Sequence, residues 1–181
     1  MTNKLDQKGF TLIELMTVIV IVMIISLVSF PTYTNMMAHQ RLNSAARTLL
    51  ADIRGTREQA IKEGWQYGIL FNSSQQYQVI KSTLPTFIQA VAAGGTVFNV
   101  VVTRNFTSSN LGYSQITMTV PVNMPVFQRS GMVSSWNSGT ANYSSTTAPG
   151  QIQLTNSNGD SKIVCIDAMG YSHIINPTGN C

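Results

Sequence analysis

Residues 8–31 read KGFTLIELMTVIVIVMIISLVSFP, and positions 10–30 of this segment are almost wholly apolar. Glu14 is the only charged residue among those positions, and no charge follows it from Leu15 to Ala38. About 20 apolar residues are enough for a helix to cross a bilayer. An acid inside such a helix costs roughly 2.5–3.5 kcal/mol, which indicates a function for it. The penalty is mild if Glu14 instead lies at the level of the lipid headgroups.

The residues around Glu14 form a recognisable motif. A polar leader, MTNKLDQKG, ends in Gly9 and is followed by Phe10, Glu14 and, further on, Pro31. This arrangement resembles the class III signal of type IV pilins and the related pseudopilins. The resemblance implies that a prepilin peptidase cuts between Gly9 and Phe10 and N-methylates Phe10, so that Glu14 becomes the fifth residue. Pro31 falls where many members of the family carry a helix-bending proline.

The resemblance also implies that Glu14 and Pro31 act in assembly. Cleavage would create a positive amine on Phe10, four residues before Glu14 and therefore on the same face of a helix. In the family, this acid meets the terminal amine of a neighbouring subunit. Pairing of Glu14 with its own terminus is the alternative, and the sequence does not separate the two.

An ordinary secretory signal peptide fits the segment less well. The apolar region is longer than the usual 7–15 residues, and no small-residue cleavage site follows it. We therefore expect the segment to stay on the mature protein. Lys4 and Lys8 favour a cytoplasmic N-terminus. The predicted location is the bacterial inner membrane, as a single-pass protein, before assembly, and a periplasmic or extracellular fibre afterwards.

Composition limits what the rest of the chain can be. The chain has 181 residues, 10% of them charged, and a net charge of +4. Loss of Lys4, Asp6 and Lys8 with the leader would remove a net +1 and leave +3. About 150 residues follow the apolar segment, enough for one domain with its own core. The few basic residues are scattered, so the charge is weak support for nucleic-acid binding.

A second helical pattern follows Pro31. Apolar residues recur at three- and four-residue spacing, which predicts an amphipathic helix that ends at a Gly64 cap. Arg54 with Glu58, and Glu58 with Lys62, are expected to form i,i+4 pairs on its polar side. The predicted apolar stripe consists of Leu42, Ala46, Leu49, Leu50, Ile53, Ala60 and Ile61.

Beyond this helix, short β-type segments alternate with turn sequences, without a β–α–β rhythm. We expect about seven or eight antiparallel strands and an α+β fold. Residues 134–149, rich in Ser, Thr, Asn and Gly, are predicted to form a loop. The predicted strands are 66–71, 76–81, 96–103, 116–120, 126–127, 151–155, 161–167 and 171–175.

The order of these patterns resembles the H-type (GspH) pseudopilins of type II secretion and the FimT/FimU-like minor pilins. The resemblance implies a long N-terminal helix packed on two small antiparallel sheets. The expected organisation is a cleaved leader at 1–9, a transmembrane or fibre-core helix at 10–31, an amphipathic helix at 32–64 and a β domain at 65–181.

The two cysteines, Cys165 and Cys181, are best explained as one disulfide in an exported chain. It would close a loop of about 15 residues and contribute about 3 kcal/mol in the chain-entropy model. Two free thiols are the alternative. A metal pair is disfavoured because no further cysteine or clustered histidine completes a site.

Catalytic and cofactor motifs are absent from the sequence. His39 and His173 have no partner pattern and are interpreted as surface or packing residues. We therefore expect no enzyme, no cofactor and no metal.

The predicted function is that of a structural subunit of a type IV pilus or related fibre, first of all a minor pilin that aids initiation or assembly. Its expected partners are other pilins or pseudopilins, the prepilin peptidase and the inner-membrane assembly platform.

Two other functions remain open. One is a type II secretion pseudopilin that drives protein export. The other is a pilus-associated module for adhesion or DNA uptake. Some FimT-like proteins bind DNA through an arginine-rich motif after the last glycine. Here Gly170 is followed by Tyr171, Ser172 and His173, so the resemblance does not support a DNA receptor.

Overall fold

A computed structural model describes residues 9–82, 98–106, 115–119, 123–137, 142–144, 150–179 and 181. The chain divides into two compact units, Met1–Met37 and Ala38–Cys181. The first unit contributes the start of a long helix, and the second contributes the rest of that helix and two antiparallel sheets. This is the predicted α+β fold.

The helix α1 runs from Leu12 to Glu63. It begins two residues later than predicted because Thr11 caps it: the Glu14 amide donates to Thr11 Oγ1 at 3.3 Å, as N-cap threonines do. It ends as predicted at Gly64, whose φ of 70° is the left-handed conformation favoured at a helix C-cap. The bend expected at Pro31 stays a prediction.

No helix in the described part of the chain is both long enough and apolar enough to cross a membrane. The membrane-spanning character predicted for residues 10–31 is therefore not confirmed.

Ten strands are present among the described residues. Six of them form one sheet in the order β3-β2-β1-β5-β6-β7, and four form a second sheet in the order β10-β9-β8-β4. Every pairing is antiparallel. The strands are β1 (Tyr67–Ser73), β2 (Gln76–Ser82), β3 (Phe98–Asn105), β4 (Thr117–Met118), β5 (Asn123–Phe127), β6 (Val133–Asn137), β7 (Asn142–Ser144), β8 (Gly150–Thr155), β9 (Ser161–Ile166) and β10 (Ser172–Ile175).

The predicted loop at 134–149 is wrong in part. Strands β6 and β7 occupy 133–137 and 142–144, and the remaining positions lie outside the described residues. Serine, asparagine and glycine have low strand propensity. Here pairing to β5 overrides that propensity, and Ser134 and Ser135 are buried in the sheet.

Three hairpins of the second unit share one turn geometry. In each, the fourth residue of the turn is a glycine with φ of 80–86°, and its amide donates to the carbonyl of the first residue. This is a type I turn followed by a bulge, which requires the left-handed conformation that glycine adopts freely. The turns are 128–132 between β5 and β6, 156–160 between β8 and β9, and 167–171 between β9 and β10.

One hydrophobic core joins the second part of α1 to both sheets. Most of the predicted stripe is fully buried, while Leu50 is only partly buried and Ile61 is exposed. The helix also buries Ala45 and Thr56, whose side chains the stripe did not include. The same core contains Phe106, directly after β3, and these residues of the sheets: Tyr67, Ile69, Tyr77, Phe127, Ile152, Leu154, Val164 and Ile166.

The disulfide is present as predicted. Cys165, buried in β9, is joined to Cys181, and their Cα atoms are 5.5 Å apart. The bond ties the C-terminal residue of the chain to the centre of the four-stranded sheet.

Candidate functional site at the start of the N-terminal helix

Gly9 and Phe10, the residues of the predicted cleavage, lie outside α1. Both are exposed, and the helix starts only after Thr11. The Leu15 amide donates to the Thr11 carbonyl at 3.3 Å, which closes the first turn. The Gly9–Phe10 peptide therefore precedes the regular helix by one residue and is open to solvent. That cleavage and methylation occur here stays a prediction.

Glu14 is the only acid in the first turn of α1. Its position three residues after the threonine cap matches a capping-box sequence, Thr-x-x-Glu. A carboxylate in the first turn is also favoured by the positive end of the helix dipole. Its side chain is exposed and has no hydrogen bond or ion pair to any other residue that the structure describes. The carboxylate is therefore accessible to a partner.

Hydrophobic side chains surround Glu14 along the helix. Every large apolar residue from Phe10 to Ile25 is 51–86% exposed. The polar residues among them satisfy themselves locally: Thr17 Oγ1 donates to the Glu14 carbonyl at 2.8 Å and Ser26 Oγ to the Val22 carbonyl at 2.7 Å. Such back-bonding satisfies these two hydroxyls without water. The exposed surface of this segment is therefore mostly apolar, and Glu14 is its only charged side chain.

A partly buried polar network lies in the second unit. Asp52 of α1 accepts hydrogen bonds at 2.8 Å from the Tyr77 hydroxyl and from Arg104 Nε. Burial, with the nearby Asp52 carboxylate as a further cause, raises the pKa of Tyr77 well above its ordinary value. The hydrogen bond from Arg104 to Asp52 raises the pKa of the guanidinium. These hydrogen bonds hold β3, the outer strand of the six-stranded sheet, against α1.

A second group of hydrogen-bonded side chains links the C-terminal end of α1 to β1 and β2. Glu63 accepts hydrogen bonds at 2.6 Å from Lys81 Nζ and from the Tyr67 hydroxyl. The Lys81 hydrogen bond lowers the pKa of Glu63, and burial raises that of Tyr67. Trp65 is 37% exposed, and Lys81 Nζ lies 5.6 Å from the centre of its ring.

His39 contacts the turn between β8 and β9. Its Nε2 lies 3.5 Å from Asp160 Oδ2, at the edge of a cleft of about 450 Å³ that Lys162 also lines. No group of three or more His, Cys, Asp or Glu side chains gathers anywhere in the described ranges to hold a metal. Neither this pair nor the Asp52 network was predicted, because their members are far apart in the sequence and follow no fixed spacing.

Two comparisons with known proteins bear on this arrangement. Residues 4–30 match the model of the prokaryotic N-terminal methylation motif. The fold is similar to that of the minor pseudopilin EpsH from the type 2 secretion system of Vibrio cholerae. The sequences are 10% identical, the TM-score is 0.52, and the match covers 77% of this chain and 99% of EpsH.

Together these findings support the type IV pilin-like/pseudopilin family for this chain. The resemblance to this family that the sequence indicated is thereby confirmed, while the subgroup stays a prediction. Members of this family are structural, non-enzymatic subunits that assemble with other pilins and are processed by prepilin peptidase. The prepilin signal indicates that the chain is membrane-anchored before it assembles.

Proposed function

We propose that this chain is a minor subunit of a type IV pilus, which enters the fibre through its N-terminal helix and aids initiation or assembly. The observation that carries the proposal is the exposed apolar surface of residues 10–25 around the single carboxylate of Glu14. A surface of this extent needs an apolar environment on all sides. The resemblance to FimT/FimU-like minor pilins supports the role of a minor subunit, which is present in the fibre at low abundance.

The energetics of assembly follow from this surface. In a bilayer the helix would be covered by lipid, and in a fibre by other helices. The apolar gain is similar in the two environments, so close packing and polar contacts decide between them. Pairing of Glu14 with the amine that processing creates on Phe10 of a neighbour would supply such a contact. Head-to-tail contacts of this kind do not close and therefore generate a filament.

The fold likeness to EpsH favours a second candidate. EpsH is a minor pseudopilin of a type 2 secretion system, and the match covers 99% of it. If this chain has the same role, its fibre belongs to a secretion machine rather than to a surface pilus. The fold and the helix start are compatible with both roles.

Quantitative peptide mass spectrometry of sheared surface fibres and of the membrane fraction tests the proposal. A minor pilin is expected in the fibres at a trace level relative to another pilin. Detection in the membrane fraction but never in sheared fibres would contradict the pilus role and favour the secretion role. Abundance equal to that of the dominant pilin would contradict a minor role.

A further inference from the structure

Two of the three glycine turns meet on the surface of α1. The backbone amide of Val133, directly after turn 128–132, donates to the Ala168 carbonyl in turn 167–171 at 3.1 Å. Gly131 and Gly170 are both buried at this junction. A side chain at Gly170 would collide with the Gly131 carbonyl and with Arg57. The two turns are therefore held against each other and against the helix in one fixed arrangement.

Arg57 lies at the centre of the junction. Its Nε donates to the Gly131 carbonyl at 3.0 Å, and its guanidinium carbon lies 5.0 Å from the centre of the Tyr171 ring. One turn earlier on the helix, Arg54 donates to the Ser172 carbonyl at 2.8 Å. Both cations are thus anchored by backbone carbonyls, which fixes their positions at little further entropic cost on binding.

The rim of this junction is apolar and exposed. Four large apolar or aromatic side chains adjoin the two turns and are 48–65% exposed. We call these residues, with Arg54 and Arg57, the double-turn patch. The apolar members are Ile61, Met132, Met169 and Tyr171.

The third glycine turn shows that turn geometry does not require this composition. Turn 156–160 has the same hydrogen bonds, but Asn158 stands where turn 167–171 has Met169, and Asp160 where it has Tyr171. Asn158 and Asp160 are polar, and their backbone amides both donate to Asn156 Oδ1 within the turn. The apolar side chains of the double-turn patch are therefore not explained by folding of the turns.

Charge around the patch is positive. Three cations, Arg54, Arg57 and Arg129 in turn 128–132, oppose two acids, Glu58 on the helix and Asp167 in turn 167–171. The expected i,i+4 pairing of Glu58 is not formed: it has no ion pair with any residue that the structure describes, and Arg54 binds the Ser172 carbonyl instead. Three arginines and two acids give the patch and its border a net charge of about +1, which an acidic surface would complement.

A second copy of this chain has few acids to offer. Of seven acidic residues in the sequence, Asp52 and Glu63 are held in ion pairs within the domain, and Asp160 accepts a hydrogen bond from Asn156 within its own turn. Asp167 accepts a hydrogen bond from the Tyr171 amide inside the patch itself. Asp6 belongs to the leader, Glu14 to the apolar helix and Glu58 to the patch. Charge complementarity thus points to a different chain.

The composition of the patch favours a protein over a nucleic acid. Met, Tyr and Arg are enriched at protein interfaces, whereas affinity for nucleic acid comes mainly from several cations that face phosphates. Here Arg54 and Arg57 already use donors on backbone carbonyls, and Glu58 would repel a phosphate.

We propose that the double-turn patch binds a protein subunit different from this chain, through an apolar contact on Met169 and Tyr171 bordered by acidic side chains facing Arg54 and Arg129. The inference rests on the proposed function, because it places the chain among other subunits. Since the patch lies in the second unit, the contact is separate from the one made by residues 10–25.

Site-specific photo-crosslinking in cells that assemble the fibre tests the patch. A photoreactive amino acid replaces Met169 in one full-length variant and Asn158 in the matched control, which holds the same place in its own turn. We expect a prominent adduct from position 169 to one other protein, identified by mass spectrometry as an acid-rich segment, and little from position 158. Equal adducts from both positions, or none from position 169, would overturn the proposal.

Charge reversal sharpens the test. Adding Arg129→Glu, alone and with Arg54→Glu, is expected to reduce the position-169 adduct by about tenfold or more, because like charges would then face each other. Arg47→Glu, on an exposed part of the helix, is the control and is expected to leave the yield unchanged. Thermal unfolding of each variant separates loss of binding from loss of folding.

Other outcomes count against the proposal. An adduct to a second copy of this chain, or an adduct that nuclease removes, would overturn it in favour of a homotypic contact or of nucleic acid. The amount of the chain in sheared fibres is measured in the same cells. A chain that enters fibres without the position-169 adduct contradicts the patch alone, while a chain absent from fibres contradicts the pilus role.

Discussion

The two parts of α1 belong to one helix but meet opposite environments. From residue 10 to residue 25, every large apolar side chain is more than half exposed. From residue 42 to residue 60, the apolar side chains Leu42, Leu49 and Ile53 are exposed by 2% or less. The second part is covered by the sheets of its own chain, whereas the first part has no such cover. The apolar side chains of a helix can therefore be covered by the helix's own domain or left exposed for assembly. The two cases differ in what packs against the helix.

The largest expected difference between the two parts is in stability. Leu49→Ala removes a side chain with no exposure and should destabilise the domain by about 2–5 kcal/mol, through lost burial and the cavity that remains. Leu15→Ala, the matched change at a 58% exposed leucine, should change stability by less than about 0.5 kcal/mol. Urea unfolding of the full chain in detergent measures both. Equal losses of stability for Leu49→Ala and Leu15→Ala would contradict the difference in burial between the two parts of the helix.

The disulfide is a constraint that acts on the domain alone. Cys181→Ser should lower the free energy of unfolding by about 3 kcal/mol, as expected for a bond between residues 16 apart in sequence. A thiol reductant added to the unaltered protein should reproduce the loss. The same urea titration serves as the measurement, and unchanged stability in both cases would show that the bond contributes nothing.

Glu14 tests the first part of the helix. Glu14→Ala should reduce incorporation into fibres by about tenfold, equivalent to about 1.4 kcal/mol, because the fibre would lose its contact with a neighbouring amine. Ser26→Ala, which changes a hydroxyl that bonds only within its own helix, is the control. Immunoblots of sheared fibres, normalised to the membrane fraction, give the ratio. Wild-type incorporation of the alanine variant would refute the assembly role.

Tyr77 provides a smaller test within the domain. Tyr77→Phe should cost about 1 kcal/mol near neutral pH, because it removes a hydrogen bond to Asp52. The raised pKa of Tyr77 means that folding favours its neutral form, so this stabilisation is complete below pH 10 and is lost as the pH rises above it. Above pH 10, the free energy of unfolding should therefore fall less steeply with pH for Tyr77→Phe than for the unaltered protein. Identical slopes above pH 10 would contradict the burial of this hydroxyl.

Local chemistry explains which features the sequence predicted. The cap at Gly64 and the strands expected at 66–71 and 76–81 depend on patterns of residues close together in the chain, and the structure has them. The family signal around Gly9 and Phe10 is equally local, and it could be recognised without knowledge of the fold.

Features that depend on distant pairing were not predicted. β6 forms from a serine-rich segment only because β5 pairs with it. Arg54 was expected to bind Glu58 four residues away, but it donates to the carbonyl of Ser172, 118 residues away. A short-range electrostatic preference of a few tenths of a kcal/mol is easily exceeded by such a contact. Spacing alone therefore placed the N-terminal motif correctly and gave no sign of the double-turn patch.

The most direct test of the account is the intact mass of the protein from cells with and without an active prepilin peptidase. We predict a mature chain that begins at Phe10 and carries one added methyl group when the peptidase is active, and a chain that still carries residues 1–9 when it is not. A chain that retains Met1 to Gly9 in cells with an active peptidase would contradict the account.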